Sequence, residues 1–199
     1  MTVTIDDSSI TGQGEIDSYV SAHVELCLTL INDLAIAARQ GRGAGGMGAA
    51  FTALAGSPWL RGYDLSSADV DLLAVVAGRL REAVDACLAG DLHAAAQVLN
   101  SVLADHGAVP NLHAEPHGLP RLAFHAATAS IVDAWAAESA ASLALLVDTR
   151  QTHRLGQCSA DACDAYFLDA TKNGSRRFCS LGCQNRAKSA AYRRRSKLS

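Results

Sequence analysis

The feature that most constrains this chain is the stretch 158–183, which holds four of its six cysteines. They form two close pairs, C-x4-C at Cys158 and Cys163 and C-x3-C at Cys179 and Cys183, separated by 15 residues. This is the spacing of a structural zinc site, in which each pair supplies two thiolates. Four cysteine ligands leave no open position for water or substrate, so the spacing predicts one structural Zn2+ and argues against a catalytic metal.

Two disulfides, or four unrelated thiols, are the alternative interpretation of the same cysteines. Residues 1–15 are polar and contain no apolar segment of the kind found in a signal peptide, so we expect them to be a disordered tail. We therefore expect a cytoplasmic protein whose cysteines stay reduced and available to a metal.

The residues around the cysteines predict a small folded unit. Residues 165–168 and 177–178 are expected to be two short strands, with Asn173-Gly174 as the hairpin turn between them. Residues 181–197 are expected to form a helix whose first turn supplies the last ligands. A knuckle, a hairpin and then a helix is the order of a treble-clef zinc finger. Four thiolates on one dication leave a charge of about −2, which nearby cations would offset.

Two segments resemble a known family. Residues 173–180 (NGSRRFCS) followed by 183–188 (CQNRAK) resemble the CGNR zinc finger, with Gln184 where the family name has Gly. Residues 26–32 (LCLTLIN) resemble the LCLDFVN opening of the ABATE domain that precedes the finger in those proteins. The resemblance implies a helical ABATE-like domain, a zinc-binding finger, and a role as a bacterial transcription regulator linked to stress.

Charge divides the chain. Residues 150–199 contain eleven Lys and Arg against three Asp, whereas residues 1–149 contain six Arg against 17 acidic residues. An acidic globular part joined to a basic part indicates that only the basic part contacts phosphate. We therefore predict a disordered tail at 1–15, a helical ABATE-like domain at 16–150 that folds on its own, and a CGNR-like finger at 151–199.

Apolar residues recur at helical spacing in the domain at 16–150. The predicted helices cover 16–40, 66–90, 91–106 and 128–148, with caps at Ser66 or Ser67 and at Asp91, a stop at Gly90, and Leu88 and Leu92 facing inward. The Gly-rich stretch 41–48 follows a helix and not a strand, so we interpret it as a connector. Acidic residues interrupt 128–148, which argues against a membrane span. Residues 150–157 are expected to lead directly into the finger and can continue the last helix.

Prolines break the helical pattern at 107–120, where 109–113 and 119–124 are expected to pair as a short hairpin. Four of the seven histidines surround this break: His106, His113, His117 and His125. A second metal or ligand site is one interpretation. We favour polar loop histidines, because neither a cysteine nor an H-x3-H pair accompanies them.

The last helix predicts a nucleic-acid contact, since its arginines suit phosphate and guanine, and side-chain amides can bond adenine. A solvated basic tail is the alternative, but a metal at its start would orient the helix. The predicted DNA-binding residues are Lys172, Arg176, Arg177, Gln184, Asn185, Arg186, Lys188, Arg193, Arg194 and Arg195.

We thus expect a mainly α protein: a helical amino-terminal domain with a small β-hairpin, then a treble-clef-like four-cysteine zinc finger ending in a basic helix. The predicted function is zinc-dependent transcription regulation on double-stranded DNA, in the cytoplasm and associated with the nucleoid. The helical domain would form a homodimer or sense a small-molecule ligand. A zinc-stabilised RNA- or protein-interaction module is the alternative, although few aromatic residues accompany the basic ones. No triad, carboxylate pair or phosphate loop indicates an enzyme, and we expect no membrane partner.

Overall fold

The computed structural model of the chain describes residues 18–36, 65–114 and 119–196. The predicted tail at 1–15, the connector at 41–48 and His117 lie outside these residues. The described helices are α1 (Ser18–Leu30), continued by a π-helical segment (Ile31–Ile36), then α2 (Ser67–Ala89), α3 (Leu92–Asp105), α4 (Ile131–Asp148) and α5 (Leu181–Ser196). The strands are β1 (Asn111–His113), β2 (Arg121–Ala123), β3 (Leu155–Gln157) and β4 (Tyr166–Leu168).

Side-chain caps set the limits of α2 and α3 where the sequence predicts them. The Ser66 hydroxyl accepts the Asp69 N–H at 3.2 Å, and the Asp69 carboxylate accepts the Ser66 N–H at 2.9 Å, which completes a capping box. Gly90 ends α2 in the left-handed region at φ +80°. Asp91 then caps α3 by accepting the Ala94 N–H at 2.9 Å.

Helices α1 to α4 pack around one apolar core. Its largest fully buried side chains include Leu28, Ile31, Leu73, Leu80, Leu99, Leu143 and Leu146. Among the described residues of these helices, the side chains predicted to face inward are buried or half-buried except Leu88 and Leu92, which are both 39% exposed. These two residues lie on either side of Gly90, where the chain turns at the surface, and Cys87 is buried next to them.

The continuation of α4 into residues 150–157 is wrong. Arg150 takes the left-handed conformation at φ 57°. Its own amide and the next one bond back to the last turn of α4: Arg150 N–H donates to Val147 O at 3.0 Å and Gln151 N–H to Leu146 O at 2.9 Å. This is a Schellman ending with arginine in the place of the usual glycine. A 3-10 turn (Thr152–Arg154) and strand β3 follow.

Two antiparallel hairpins occur in the described part of the chain, and one of them was predicted. Strands β1 and β2 pair with Leu112 opposite Leu122, as expected. Strand β4 pairs with β3, with Gly156 opposite Phe167, so the predicted pairing of 165–168 with 177–178 is wrong. Gly156 permits this pairing, since a Cβ on it would lie 2.5 Å from Phe167 Cζ.

Side chains replace the predicted strand partner of β4. The N–H of Arg176 donates to the Asp169 carboxylate at 2.6 Å, and the Arg176 guanidinium donates to Leu168 O at 3.0 Å. Leu168 O lies in the predicted strand, and a side chain bonds it where the predicted pairing required a neighbouring strand. The turn itself is present, because Gly174 adopts φ 56° and donates its N–H to Thr171 O at 3.3 Å. A treble-clef hairpin between the two cysteine pairs is therefore not confirmed.

The β3–β4 hairpin joins the helical body to the cysteine-rich region. Leu155, Tyr166 and Leu168 belong to the same buried cluster as the helices, and β4 and β3 contact α1 and α2 respectively. A boundary at residue 150 therefore cuts through a shared core. Independent folding of 16–150 stays a prediction.

One described helical stretch, Tyr19–Ile36, is long and apolar enough to cross a membrane by length and composition alone. In the structure this stretch packs against α4 and α2, and 44% of it is buried. Val24, Cys27 and Ile31 have no exposed surface. Its apolar residues therefore serve the core of the helical body.

Candidate metal centre

Cys158, Cys163, Cys179 and Cys183 form one group whose four sulfur atoms all lie within 4.8 Å of one another. Cys179 Sγ is 3.5 Å from Cys183 Sγ, and Cys163 Sγ is 3.7 Å from each of those two. Within the described part of the chain, no other group of three or more Cys, His, Asp or Glu side chains has this geometry. The structure thus brings together all four predicted ligands.

These distances fit a tetrahedral metal. Four sulfurs at about 2.3 Å from Zn2+ would lie about 3.8 Å from one another. The donor set, thiols alone, suits a soft or borderline ion such as zinc, and it leaves no coordination site for a substrate. The four cysteines can therefore hold a zinc ion in a structural role.

Local hydrogen bonds position each pair. In the first pair, Cys158 N–H donates to Ala165 O at 2.9 Å and Cys163 N–H to Ala160 O at 3.1 Å, so the chain folds back between them as a knuckle. Ala162 completes that turn at φ 56°. In the second pair, the Ser180 hydroxyl accepts the Cys183 N–H at 3.2 Å, which starts α5 at the expected residue.

The ionisation of the thiols differs around the cluster. Burial opposes ionisation of Cys183, but hydrogen bonds from Ser180 and the neighbouring thiols outweigh it and lower the pKa of Cys183 to about 7. Burial, reinforced by hydrogen bonds among the thiols, raises the pKa of Cys179 to about 12. Burial also raises the pKa of Cys163. Four close sulfurs cannot all become thiolates unless a cation joins them, which a metal ion supplies.

Arg186 supports the negative charge of the cluster directly. Its Nη2 donates to Cys183 Sγ at 2.9 Å, one turn further along α5. The backbone N–H of Cys179 donates to Cys158 Sγ at 3.4 Å. Donors to sulfur stabilise the thiolate form, so this predicted DNA contact has a role at the metal centre itself.

Arg176, also predicted to contact DNA, is bonded within the module. Its Nε and Nη2 donate to Phe178 O and Cys179 O at 3.0 and 2.6 Å. Its Nη1 donates to Leu168 O at 3.0 Å, and the guanidinium carbon lies 5.1 Å from the centre of the Phe167 ring. The guanidinium thus joins β4 to the loop that carries Cys179.

The other predicted contacts differ in their exposure. Within the described residues, the side chains of Lys172, Arg177 and Lys188 form no hydrogen bond or ion pair. Asn185 is exposed on α5 and Gln184 is half-buried, whereas Arg193, Arg194 and Arg195 follow near the end of that helix. A cleft of about 530 Å³ separates the 171–178 loop from the start of α5; residues lining it include Thr171, Ser175, Arg177, Ser180, Leu181 and Gln184.

The described members of the predicted histidine cluster, His106, His113 and His125, have local partners. His106 Nδ1 lies 2.8 Å from the Asp133 carboxylate. The rings of His113 and His125 meet edge to face at 4.5 Å. His125 also lies near Glu138, with 3.8 Å between Nε2 and Oε1. Within the described residues, no metal-binding group of three or more ligands includes them, and the interpretation as polar loop residues stays a prediction.

Sequence reasoning missed two polar connections that cross the core. Glu138 on α4 accepts the Tyr19 hydroxyl at 2.5 Å and the Phe124 N–H at 2.6 Å, and so connects α1 and the residue after β2 to α4. Asn32 bonds the backbone of Tyr166, 134 residues away. An acidic residue within an apolar helix needs polar partners, so Glu138 was a signal for the first of these connections. Nothing local in the sequence indicates the second.

Comparison with known proteins agrees with the cysteine geometry. Residues 154–196 match the family model of the CGNR zinc finger, which spans β3 to the end of α5 and includes all four cysteines. This match covers under a quarter of the chain and does not extend to the helical body. No curated protein matches the sequence.

Proposed function

We propose that the protein is a transcription regulator that holds one structural Zn2+ and binds double-stranded DNA through residues 171–196. The observation that carries this proposal is the exposure and charge of α5. No acidic residue follows Asp169, while eight Lys and Arg lie between residues 172 and 195. A helix with this composition cannot be buried in a protein core, and it suits the phosphate backbone.

The packing of α5 supports the same function. Among its residues whose side chains are described, Cys183 alone is buried, and no other described helix or strand packs extensively along it. The helix is therefore attached at its amino end, through the cysteine cluster, and the rest is open to a partner. A metal at that end would give it a defined direction, as docking in a DNA groove requires.

The aromatic residues favour duplex DNA over single-stranded RNA. Tyr166 and Phe167 are each 5% exposed, and Phe178 packs beside the cysteine cluster. Tyr192, at 71%, is the one strongly exposed aromatic side chain described between residues 154 and 196. Single-strand binding usually depends on several exposed rings, and this surface presents one.

The helical body completes the proposal as the regulatory part, which forms a homodimer or senses a small molecule. The described part of the body is acidic and would repel DNA, so its contribution is indirect. We place the protein in the cytoplasm with the nucleoid, without a membrane partner and without an enzymatic activity of its own.

Two adjacent arginines provide a matched test of the proposed DNA surface. We expect Arg177→Ala to weaken binding to every duplex alike and to flatten the slope of log K against log salt by about one unit, with zinc content unchanged, because a free guanidinium on the cleft is lost. We expect the main effect of Arg176→Ala to be a lower zinc affinity, because the Arg176 guanidinium bonds Cys179 O.

The measurements are salt titrations of duplex affinity together with zinc content. Arg79→Ala is the control, since it removes the same charge from an exposed ion pair with Asp105 on the body. Its slope should equal that of the unmodified protein. If Arg177→Ala binds duplex with unchanged affinity and slope, the cleft is not a phosphate contact, and the proposed DNA surface is wrong there.

A further inference from the structure

Strand β4 has a side-chain amide, that of Asn32, as the hydrogen-bonding partner on the edge that does not pair with β3. Its inner edge pairs with β3. On the other edge, Asn32 Nδ2 donates to Tyr166 O at 2.9 Å, and Tyr166 N–H donates to Asn32 Oδ1 at 2.8 Å. The N–H and C=O of one strand residue point to the same edge, so the Asn32 amide takes the place of a neighbouring strand.

The same tyrosine is anchored in the helical body by its ring. Tyr166 is 5% exposed within the core, and its hydroxyl bonds the Asp85 carboxylate on α2. Arg81 Nε donates to that carboxylate at 3.3 Å. Burial, followed by the Asp85 hydrogen bond, raises the pKa of Tyr166 to about 12, so the hydroxyl remains a donor at neutral pH.

From β4 the contacts continue to the metal ligands. Arg176 donates to Leu168 O at 3.0 Å and to Cys179 O at 2.6 Å. Cys179 is followed directly by the turn that starts α5. A continuous series of hydrogen bonds therefore runs from the π-helical segment of the body, through β4 and Arg176, to the cysteine cluster and the basic helix.

We infer that Asn32 is a positioning residue that couples the helical body to the metal centre. Its amide holds β4 in the orientation in which Arg176 supports the loop of Cys179, so metal binding is tighter while the two Asn32 bonds are intact. Coupling between sites is reciprocal. If a shift of the π-helical segment changes metal affinity by some factor, metal binding changes the equilibrium constant for that shift by the same factor. This inference does not depend on DNA binding.

The test is zinc affinity of the full chain, measured by competition with a chromophoric chelator. We expect Asn32→Ala to bind zinc about tenfold more weakly, within the range usual for coupled sites. Asn32→Asp keeps the acceptor for Tyr166 N–H but loses the donor, and it should also bind more weakly. Asn100→Ala is the control, because Asn100 is an exposed amide on α3. Its zinc affinity should equal that of the unmodified protein.

Tryptophan fluorescence separates coupling from loss of the fold. Both tryptophans, Trp59 and Trp135, precede the finger, so native emission shows that the body is folded when zinc affinity is measured. If Asn32→Ala and Asn32→Asp have native emission and unchanged zinc affinity, the inference is wrong.

Hydrogen exchange of the unmodified protein gives the reciprocal test and decides the matter if neither variant folds. Zinc removal should reduce the protection of the Tyr166 amide, because Asn32 holds it less firmly when the metal end is released. Equal protection of this amide with and without zinc would overturn the coupling.

Discussion

Replacement of Cys183 by serine is expected to abolish stoichiometric metal binding and to unfold the segments that carry the cysteines, residues 158–165 and 169–196, while β4 stays packed in the core of the body. Cys183 is 4% exposed and lies 3.5 Å from Cys179 Sγ and 3.7 Å from Cys163 Sγ. The apolar cluster around it holds only three buried residues, too few to fold this region without a metal. Structural zinc supplies about 10–16 kcal/mol in such modules.

The check is elemental analysis of freshly purified, reduced protein, which should contain about one zinc per chain in the unmodified form. Cys87→Ser is the matched control, because Cys87 is also a buried cysteine but lies on α2 outside the cluster. It should retain the metal in full. A Cys183→Ser protein with as much zinc as this control would contradict the ligand assignment.

Replacement of Tyr166 by alanine is expected to reduce the free energy of unfolding of the whole chain by about 3–5 kcal/mol. The tyrosine ring fills the core that β4 shares with α1 and α2, and its loss leaves a cavity there and removes the hydrogen bond from the tyrosine hydroxyl to the Asp85 carboxylate. Tyr192→Ala removes the same side chain from an exposed position on α5 and should change stability by less than about 0.5 kcal/mol.

Urea unfolding followed by tryptophan fluorescence measures this difference. Both tryptophans belong to the part before residue 150, so a large loss in Tyr166→Ala shows that β4 stabilises the body. If Tyr166→Ala and Tyr192→Ala unfold at the same urea concentration, β4 does not belong to the core of the body.

The metal ligands were predictable because their signal is local. All four cysteines lie within the short stretch 158–183. Their spacing alone indicates a metal site, because no ligand comes from a distant part of the sequence. Helix ends were also predictable where the residue type at the end itself favours stopping the helix. Gly90 favours the left-handed conformation without a Cβ penalty, so the end of α2 could be predicted. Arg150 adopts that conformation against its own preference, so the turn that follows α4 could not be predicted from residue type, although the predicted helix end at 148 agrees with the structure.

The pairing of β4 was not predictable from local patterns. Asn173-Gly174 correctly indicated a turn, but a turn does not reveal which segment a strand joins. Strand β3 has three residues and includes Gly156, so it shows no alternation that would mark it. The Asn32 amide on the other edge of β4 belongs to a helical segment far away in the sequence. The sequence analysis noted residues 26–32 only because they resemble the opening of the ABATE domain, and that resemblance assigned no role to Asn32.

The central claim, that a metal-organised basic helix recognises DNA, is tested most directly by the salt dependence of duplex affinity with and without zinc. The zinc-loaded chain should select a preferred duplex from a random library. Log K for that duplex should fall with log salt at a slope of roughly −5, as about six phosphate contacts would give. Asn185→Ala should cost about 1–3 kcal/mol on it and much less on random DNA.

Zinc chelation should reduce affinity for the preferred duplex to the level of random DNA, because the helix loses its fixed direction. Equal affinity for both duplexes in the zinc-loaded protein, or binding that chelation leaves unchanged, would contradict the claim and leave α5 as a basic tail that attracts any polyanion.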